Sequence, residues 1–233
     1  MSDIRDRLAR VRDRIATAAR RARRDPASVR LVAISKTFPA ADIRAAADAG
    51  QREFGENKVQ EALQKMGETS GLGLRWHLVG HLQSNKARKA GASFDVIHSV
   101  DDVALLAKLD QAACDAGRRP ELLVQVDLAG EATKHGIAPQ GLMPIFEAAR
   151  GCKAVLVKGL MLLPPASDPE GARPYFTALS RLRDDLAARG VGASMLAELS
   201  MGMSEDFEVA VEEGATLVRV GSAIFGPRGL TPL

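Results

Sequence analysis

Eight short apolar runs, separated by longer helical patterns, constrain this chain of 233 residues more than any other feature. They are LVAISK (31–36), EFGE (53–56), RWHLVG (75–80), DVIHSV (95–100), LLVQVDL (122–128), VLVKGLM (155–161), MLAELSM (195–201) and LVRVG (217–221). Helix-like segments near 40–50, 57–66, 84–90, 102–117, 139–150, 170–189 and 204–213 lie between them. Ser84, Asp101 and Ser204 stand where N-caps are expected, and glycines at 50, 117, 151, 190 and 214 stand where helices end. Strict β–α alternation predicts a parallel sheet, and eight units in a chain close to the usual ~250 residues predict a (β/α)8 TIM barrel in a single domain. The proline-bearing stretch LLPPASDPEG (162–171) is the longest loop candidate.

The barrel pattern starts only near residue 30. Ahead of it, residues 1–25 carry Ile4, Leu8, Val11, Ile15 and Ala19 at helical spacing, which predicts an added amphipathic helix. The first 24 residues hold nine arginines against three aspartates, a surplus of six, whereas the whole chain is only +3. A basic segment of this kind can touch nucleic acid or an import receptor. Alternating charge signs around an apolar stripe fit a solvated helix face better, and aromatics are only 4% of the chain. No nucleic acid partner is therefore expected. No apolar run approaches the roughly 18 residues needed to span a bilayer, and no apolar leader opens the chain. Cys114 and Cys152 lack metal or redox spacing, so the expected setting is the cytoplasm, with Cys114 in the core.

In such a barrel the chemistry sits at the C-terminal ends of the strands. Lys36 ends the first run, Asn57 follows the second, His77 and His81 flank the end of the third, and Met161 closes the sixth. A lysine at a strand end is commonly just where the chain meets water. The last two loops give it a second meaning. SMGMS (200–204) and VRVGSAIFG (218–226) bring Ser200, Gly202, Ser204, Gly221 and Ser222 to the corner where barrels often bind phosphate. Glycines there also suit tight strand-to-helix turns. Two such loops together favour a phosphate site, and a lysine facing it suggests a Schiff base with a phosphorylated carbonyl compound. Arg219, within LVRVG, is expected to point into the barrel mouth, either against a pyridine nitrogen or in an ion pair with Glu198. No third ligand accompanies His77 and His81, so no metal site is expected.

SKTFP, FGENKVQE, WHLVGHLQSNK, VDLAGEATKHG, GLM, LSMGMSEDFEVAV and RVGSAIFGPR occur in this order. With them the chain resembles the pyridoxal phosphate homeostasis proteins, single-domain relatives of the alanine racemase barrel, from about residue 30 onward. The resemblance implies that Lys36 carries pyridoxal 5′-phosphate as an internal aldimine. It implies that Ser200, Gly221 and Ser222 hold the phosphate and that Arg219 faces the pyridine nitrogen. Asn57, His77, Met161 and Met203 would line the ring pocket.

It further implies a carrier or regulator of vitamin B6 rather than an enzyme, with apo-enzymes as recipients and the chain expected as a monomer. Racemases of this type need a second acid/base, a tyrosine from an added β-domain of the partner subunit. The chain is expected to lack one, since it stops soon after the eighth run and Tyr175 lies on a helix pattern. The rival readings are a pyridoxal phosphate enzyme such as a weak racemase, and a Schiff-base aldolase acting on a sugar phosphate.

Overall fold

The structure, a computed structural model, describes residues 3–130, 135–165 and 168–227. Residues 131–134 of the VDLAGEATKHG stretch, 166–167 of the proline-bearing loop, and Arg228 lie outside them. Eight strands follow in chain order: β1 (Arg30–Ile34), β2 (Glu53–Glu56), β3 (Arg75–Leu78), β4 (Val96–Val100), β5 (Glu121–Val126), β6 (Leu156–Leu162), β7 (Glu198–Ser200) and β8 (Leu217–Val220). Each pairs in parallel with the next, and β8 returns to β1 with Ala33 opposite Val220, so the barrel closes.

The helices are α1 (Ile4–Arg21), α2 (Ala40–Asp48), α3 (Val59–Glu68), α4 (Ala87–Ser93), α5 (Val103–Asp115), α6 (Leu142–Ala149), α7 (Pro169–Ala188), α8 (Phe207–Glu212) and α9 (Ser222–Phe225). The (β/α)8 architecture is as the alternation predicts, and the physical reason is plain. Strand residues of one parity meet the helices in a continuous apolar layer. Residues of the other parity fill the barrel, where Val32, Ile34, Val79, Leu123, Met161 and Leu217 form a second, inner cluster.

Helix α1 buries the predicted stripe, Ile4, Leu8, Val11, Ile15 and Ala19. Its arginines are less free than a solvated face implies. Arg7 donates to the Ile224 carbonyl at 2.5 Å and Arg12 to the Ala49 carbonyl at 3.1 Å. Arg14 pairs with Glu208, Arg21 with Glu212, and Arg24 donates to the carbonyls of Val211 and Ala215. The basic surplus therefore fastens α1 to the α2 and α8–α9 regions.

Several boundaries move. Asp102, not Asp101, caps α5, its carboxylate accepting from the Leu105 amide at 2.7 Å. β7 is shorter than its apolar run because Ala193–Met195 forms a 3-10 turn. Cys114 is exposed on α5 rather than in the core. Among the described residues no helix is long and apolar enough to cross a membrane.

Candidate functional site

The strand starts close the floor of the barrel with charge. Arg30 bridges Glu53 at 3.2 Å and Glu198 at 2.8 Å, and Arg75 pairs with Glu121. Glu198 is thus committed to Arg30, which removes it as the ion-pair partner for Arg219. The strand ends, at the opposite rim, carry the candidate site.

Lys36 stands two residues beyond β1, half-buried, in a short segment gripped on both sides. Before it, the Ser35 hydroxyl donates to Glu56 Oε1 at 2.6 Å, and the Ser35 carbonyl accepts from Lys65 Nζ at 2.7 Å. After it, the Thr37 amide donates to Glu61 Oε1 at 2.7 Å. Lys65 Nζ joins the two grips, with bonds of 2.8 Å to Glu56 and 2.7 Å to Glu61. Burial pushes the Glu56 carboxyl up, against the pull of Lys65 and Ser35. Glu61 lies below the usual carboxylate range because its bonds to Lys65 and Thr37 outweigh burial. Thr37 sits at φ 69°, a left-handed conformation that costs a threonine energy and that these bonds hold in place. The network fixes where Lys36 leaves the barrel rim.

Asn57 directly follows β2 and is half-buried. The chain leaving β3 crosses it so closely that a Cβ at Gly80 would lie 2.3 Å from the Asn57 carbonyl oxygen. Met161, on β6, is fully buried in the inner cluster. Met203 is 39% exposed and so lies at the edge of the mouth rather than in a buried wall.

The corner formed after β7 and β8 is tightly built. Gly202, at φ 90°, has no room for a Cβ, which would meet Ala210 at 2.5 Å and Phe207 at 2.9 Å. Its carbonyl accepts from the Arg219 amide, tying the two loops together. Gly221 abuts β1, since a Cβ there would lie 3.2 Å from the Ile34 carbonyl oxygen. Ser222 is exposed at the start of α9. Ser204, expected as a helix cap for α8, instead accepts from the amides of Gly221 at 3.2 Å and Ala223 at 3.5 Å. Its hydroxyl joins that of Ser222 at this corner.

Ser200 is not at the corner. It is fully buried, and its Oγ accepts from Arg219 at 2.5 Å while lying 2.9 Å from His98 Nδ1. Its hydroxyl is thus held between a guanidinium and an imidazole, both within hydrogen-bond distance. His77 also differs from expectation. It is fully buried, with Nδ1 2.9 Å from His98 Nε2 and Nε2 3.0 Å from Glu53 Oε2, so both ring nitrogens face partners beneath the mouth. Arg219 itself is 3% exposed and donates to Ser200 and to the Leu162 carbonyl at 2.8 Å. No described carboxylate lies within ion-pair distance of it. Burial pushes it down to about 10, against the attraction of Asp206, and it remains a cation at neutral pH.

This geometry can be set beside known proteins. Residues 7–229 match the family model described as alanine racemase, N-terminal domain. The chain is 44% identical to the pyridoxal phosphate homeostasis protein of Pseudomonas aeruginosa, covering 98% of this chain and 97% of that one. It is 38% identical to the protein of the same name from Escherichia coli, with 98% of each covered. The chain belongs to this family. Among solved structures, PipY of Synechococcus elongatus with pyridoxal phosphate bound superposes with a TM-score of 0.85 at 42% identity, covering 96% of this chain and all of that one. Alanine racemase of Clostridium difficile shares the fold, with a TM-score of 0.72 at 13% identity over 99% of this chain and 58% of that one.

Proposed function

We propose that this homeostasis-family chain binds pyridoxal 5′-phosphate, carries it covalently on Lys36 in the cytoplasm, and does not turn it over. The observation that supports this most is adjacency at one rim. β1 pairs with β8, Gly221 packs against Ile34, and the Lys36 segment thereby lies beside the Ser204–Gly221–Ser222 corner. The residues fit the group: an amine for its carbonyl, amides and hydroxyls for its phosphate, and a buried cation for its ring nitrogen. Among the relatives, PipY has been solved with that ligand bound.

When bound, pyridoxal phosphate supplies a carbonyl for amines and an electron-accepting ring. The chain's own residues tune how much of that power is usable. Arg219 donates hydrogen bonds and accepts none, so it would oppose protonation of a ring nitrogen held against it. Such a residue would restrain the electron-accepting power of the group. The chain's single tyrosine, Tyr175, packs against the core from the outer helix α7, so it is not a phenol facing the mouth. In this reading the chain acts as a monomer and its recipients are apo-enzymes that use the same cofactor.

Two measurements test this. Titration followed by absorbance should give saturable binding of pyridoxal phosphate. Chiral analysis of alanine and serine after long incubation should show no racemisation above a Lys36→Ala blank. Turnover on the order of 1 s⁻¹ or more would make the chain an enzyme instead.

The phosphate corner gives its own expected result. Ser204→Ala removes the hydroxyl whose oxygen accepts from the Gly221 and Ala223 amides and whose proton is the donor available to a phosphate. Affinity for pyridoxal phosphate should fall about tenfold, the weight of one charge-assisted bond. Binding of pyridoxal, which lacks the phosphate, should be weak and insensitive to the substitution. Equal affinity of the unmodified protein for the two ligands would move the phosphate elsewhere.

A further inference from the structure

The barrel interior beneath Arg219 is polar where a TIM barrel is ordinarily filled by aliphatic layers. Glu53, His77, His98 and Ser200 stand on β2, β3, β4 and β7 and run from the floor to the mouth. We propose that these four residues form one directional hydrogen-bond chain that positions Arg219 and supplies its counter-charge from the opposite end of the barrel. The proposal rests on the functional reading only in what Arg219 touches.

The direction follows from donor and acceptor counts. A guanidinium has donors alone, so at 2.5 Å the Ser200 oxygen accepts from Arg219. The Ser200 proton then goes to His98 Nδ1, 2.9 Å away. His98 must therefore carry its proton on Nε2, which donates to His77 Nδ1 at 2.9 Å. His77 in turn carries its proton on Nε2, 3.0 Å from Glu53 Oε2 in an ion-pair approach, and neither of those two buried atoms has a hydrogen-bond partner, so each has only the other to turn to. The reverse order strands the Ser200 proton in a buried site and sets a ring lone pair against a carboxylate. Only one direction gives the Ser200 proton an acceptor and turns a donor, not a lone pair, toward Glu53.

The charges agree with that assignment. Burial pushes both imidazoles down, His98 well below its ordinary value with His77, Arg219 and Arg30 adding to the effect. Each ring therefore holds a single proton. Burial pushes the Glu53 carboxyl up, but His77, Arg30 and Arg75 outweigh it and keep it ionised. At the other end Asp206 is the carboxylate acting on Arg219 through space. A carboxylate and a guanidinium are thus joined by neutral links that polarise one another. The carboxylate end also borders a floor cavity of about 360 Å³ lined by Arg12, Arg30, Gln51 and Glu53. A cation at the mouth is held by a group that reaches solvent on the far side.

The test begins with the protein free of ligand. Long-range proton–nitrogen correlation spectra of the imidazoles, assigned with His77→Gln and His98→Gln, should show both rings protonated on Nε2 alone. Protonation of either on Nδ1 would overturn the chain. Binding is then followed by absorbance. Glu53→Ala and His98→Leu should each weaken pyridoxal phosphate binding about tenfold, and the double variant should lose no more than either single one. Glu198→Ala, which removes the other carboxylate from Arg30, should leave affinity unchanged. Additive losses, or an equal loss in Glu198→Ala, would reduce the chain to general packing and overturn the proposal. If the unmodified protein binds no pyridoxal phosphate, the functional reading falls, while the imidazole protons still decide the chain.

Discussion

Lys65→Met should lower stability by about 3–5 kcal/mol, the usual cost of removing one partner from a buried ion pair. The Lys65 side chain is 8% exposed and Glu56 is fully buried, so little solvent is available to take the place of the ammonium. One Glu56 oxygen already has no hydrogen-bond partner, and the substitution leaves the other with only the Ser35 hydroxyl. It also frees the Ser35 carbonyl and one hold on Glu61. Thermal unfolding should show a Tm lower by roughly 10 °C for a chain of this size. Adding Glu56→Gln should recover part of the loss, because the stranded charge is then gone. A change below about 1 kcal/mol would mean that the cluster behaves as a solvent-exposed pair and does not brace the Lys36 segment.

Lys36→Ala should abolish covalent attachment of pyridoxal phosphate while the barrel stays folded. The amine is the only group the reading assigns to the carbonyl, so no partial activity is expected from it. The phosphate corner and Arg219 are untouched, and weak, reversible binding should remain. The fold should be kept, since no core side chain is removed. Circular dichroism checks the fold, and loss of the visible absorbance band checks the attachment. A variant that keeps the band would place the reactive amine on another residue.

Much of the fold was legible because parallel strands covered on both faces leave apolar runs that are hard to mistake, as in the runs that became β5 and β6. The stripe from Ile4 to Ala19 likewise predicted the buried face of α1. The misreadings have local causes. Asp101 and Asp102 are equivalent in composition, and only backbone geometry selects Asp102 as the cap. The apolar residues around Met195 concealed a 3-10 turn, since periodicity cannot separate short elements.

Placement was legible where strand position sets it: Lys36 and Asn57 lie just beyond the ends of β1 and β2, and Arg219 points into the barrel from β8. It was less so where role depends on which neighbour a side chain meets. Ser200 and Ser204 stand four apart in one motif, yet one lies inside the barrel and the other lies at the rim. His98 reads as an ordinary strand residue on its own. The available signal was parity: Glu53, His77, His98 and Ser200 occupy inward positions on their strands, and four polar residues there need partners. The Glu56–Lys65–Glu61 cluster gave no comparable sign, because Lys65 in isolation reads as a helix surface residue.

The central claim is that Lys36 presents its amine to the carbonyl of pyridoxal phosphate, and borohydride trapping tests it most directly. The protein is incubated with the ligand, reduced and digested, and the pyridoxyl mass is located by peptide mapping. One dominant label is expected, on the peptide that contains Lys36, and none in Lys36→Ala. A dominant label on Lys58 or Lys134, or none at saturating ligand, would contradict it.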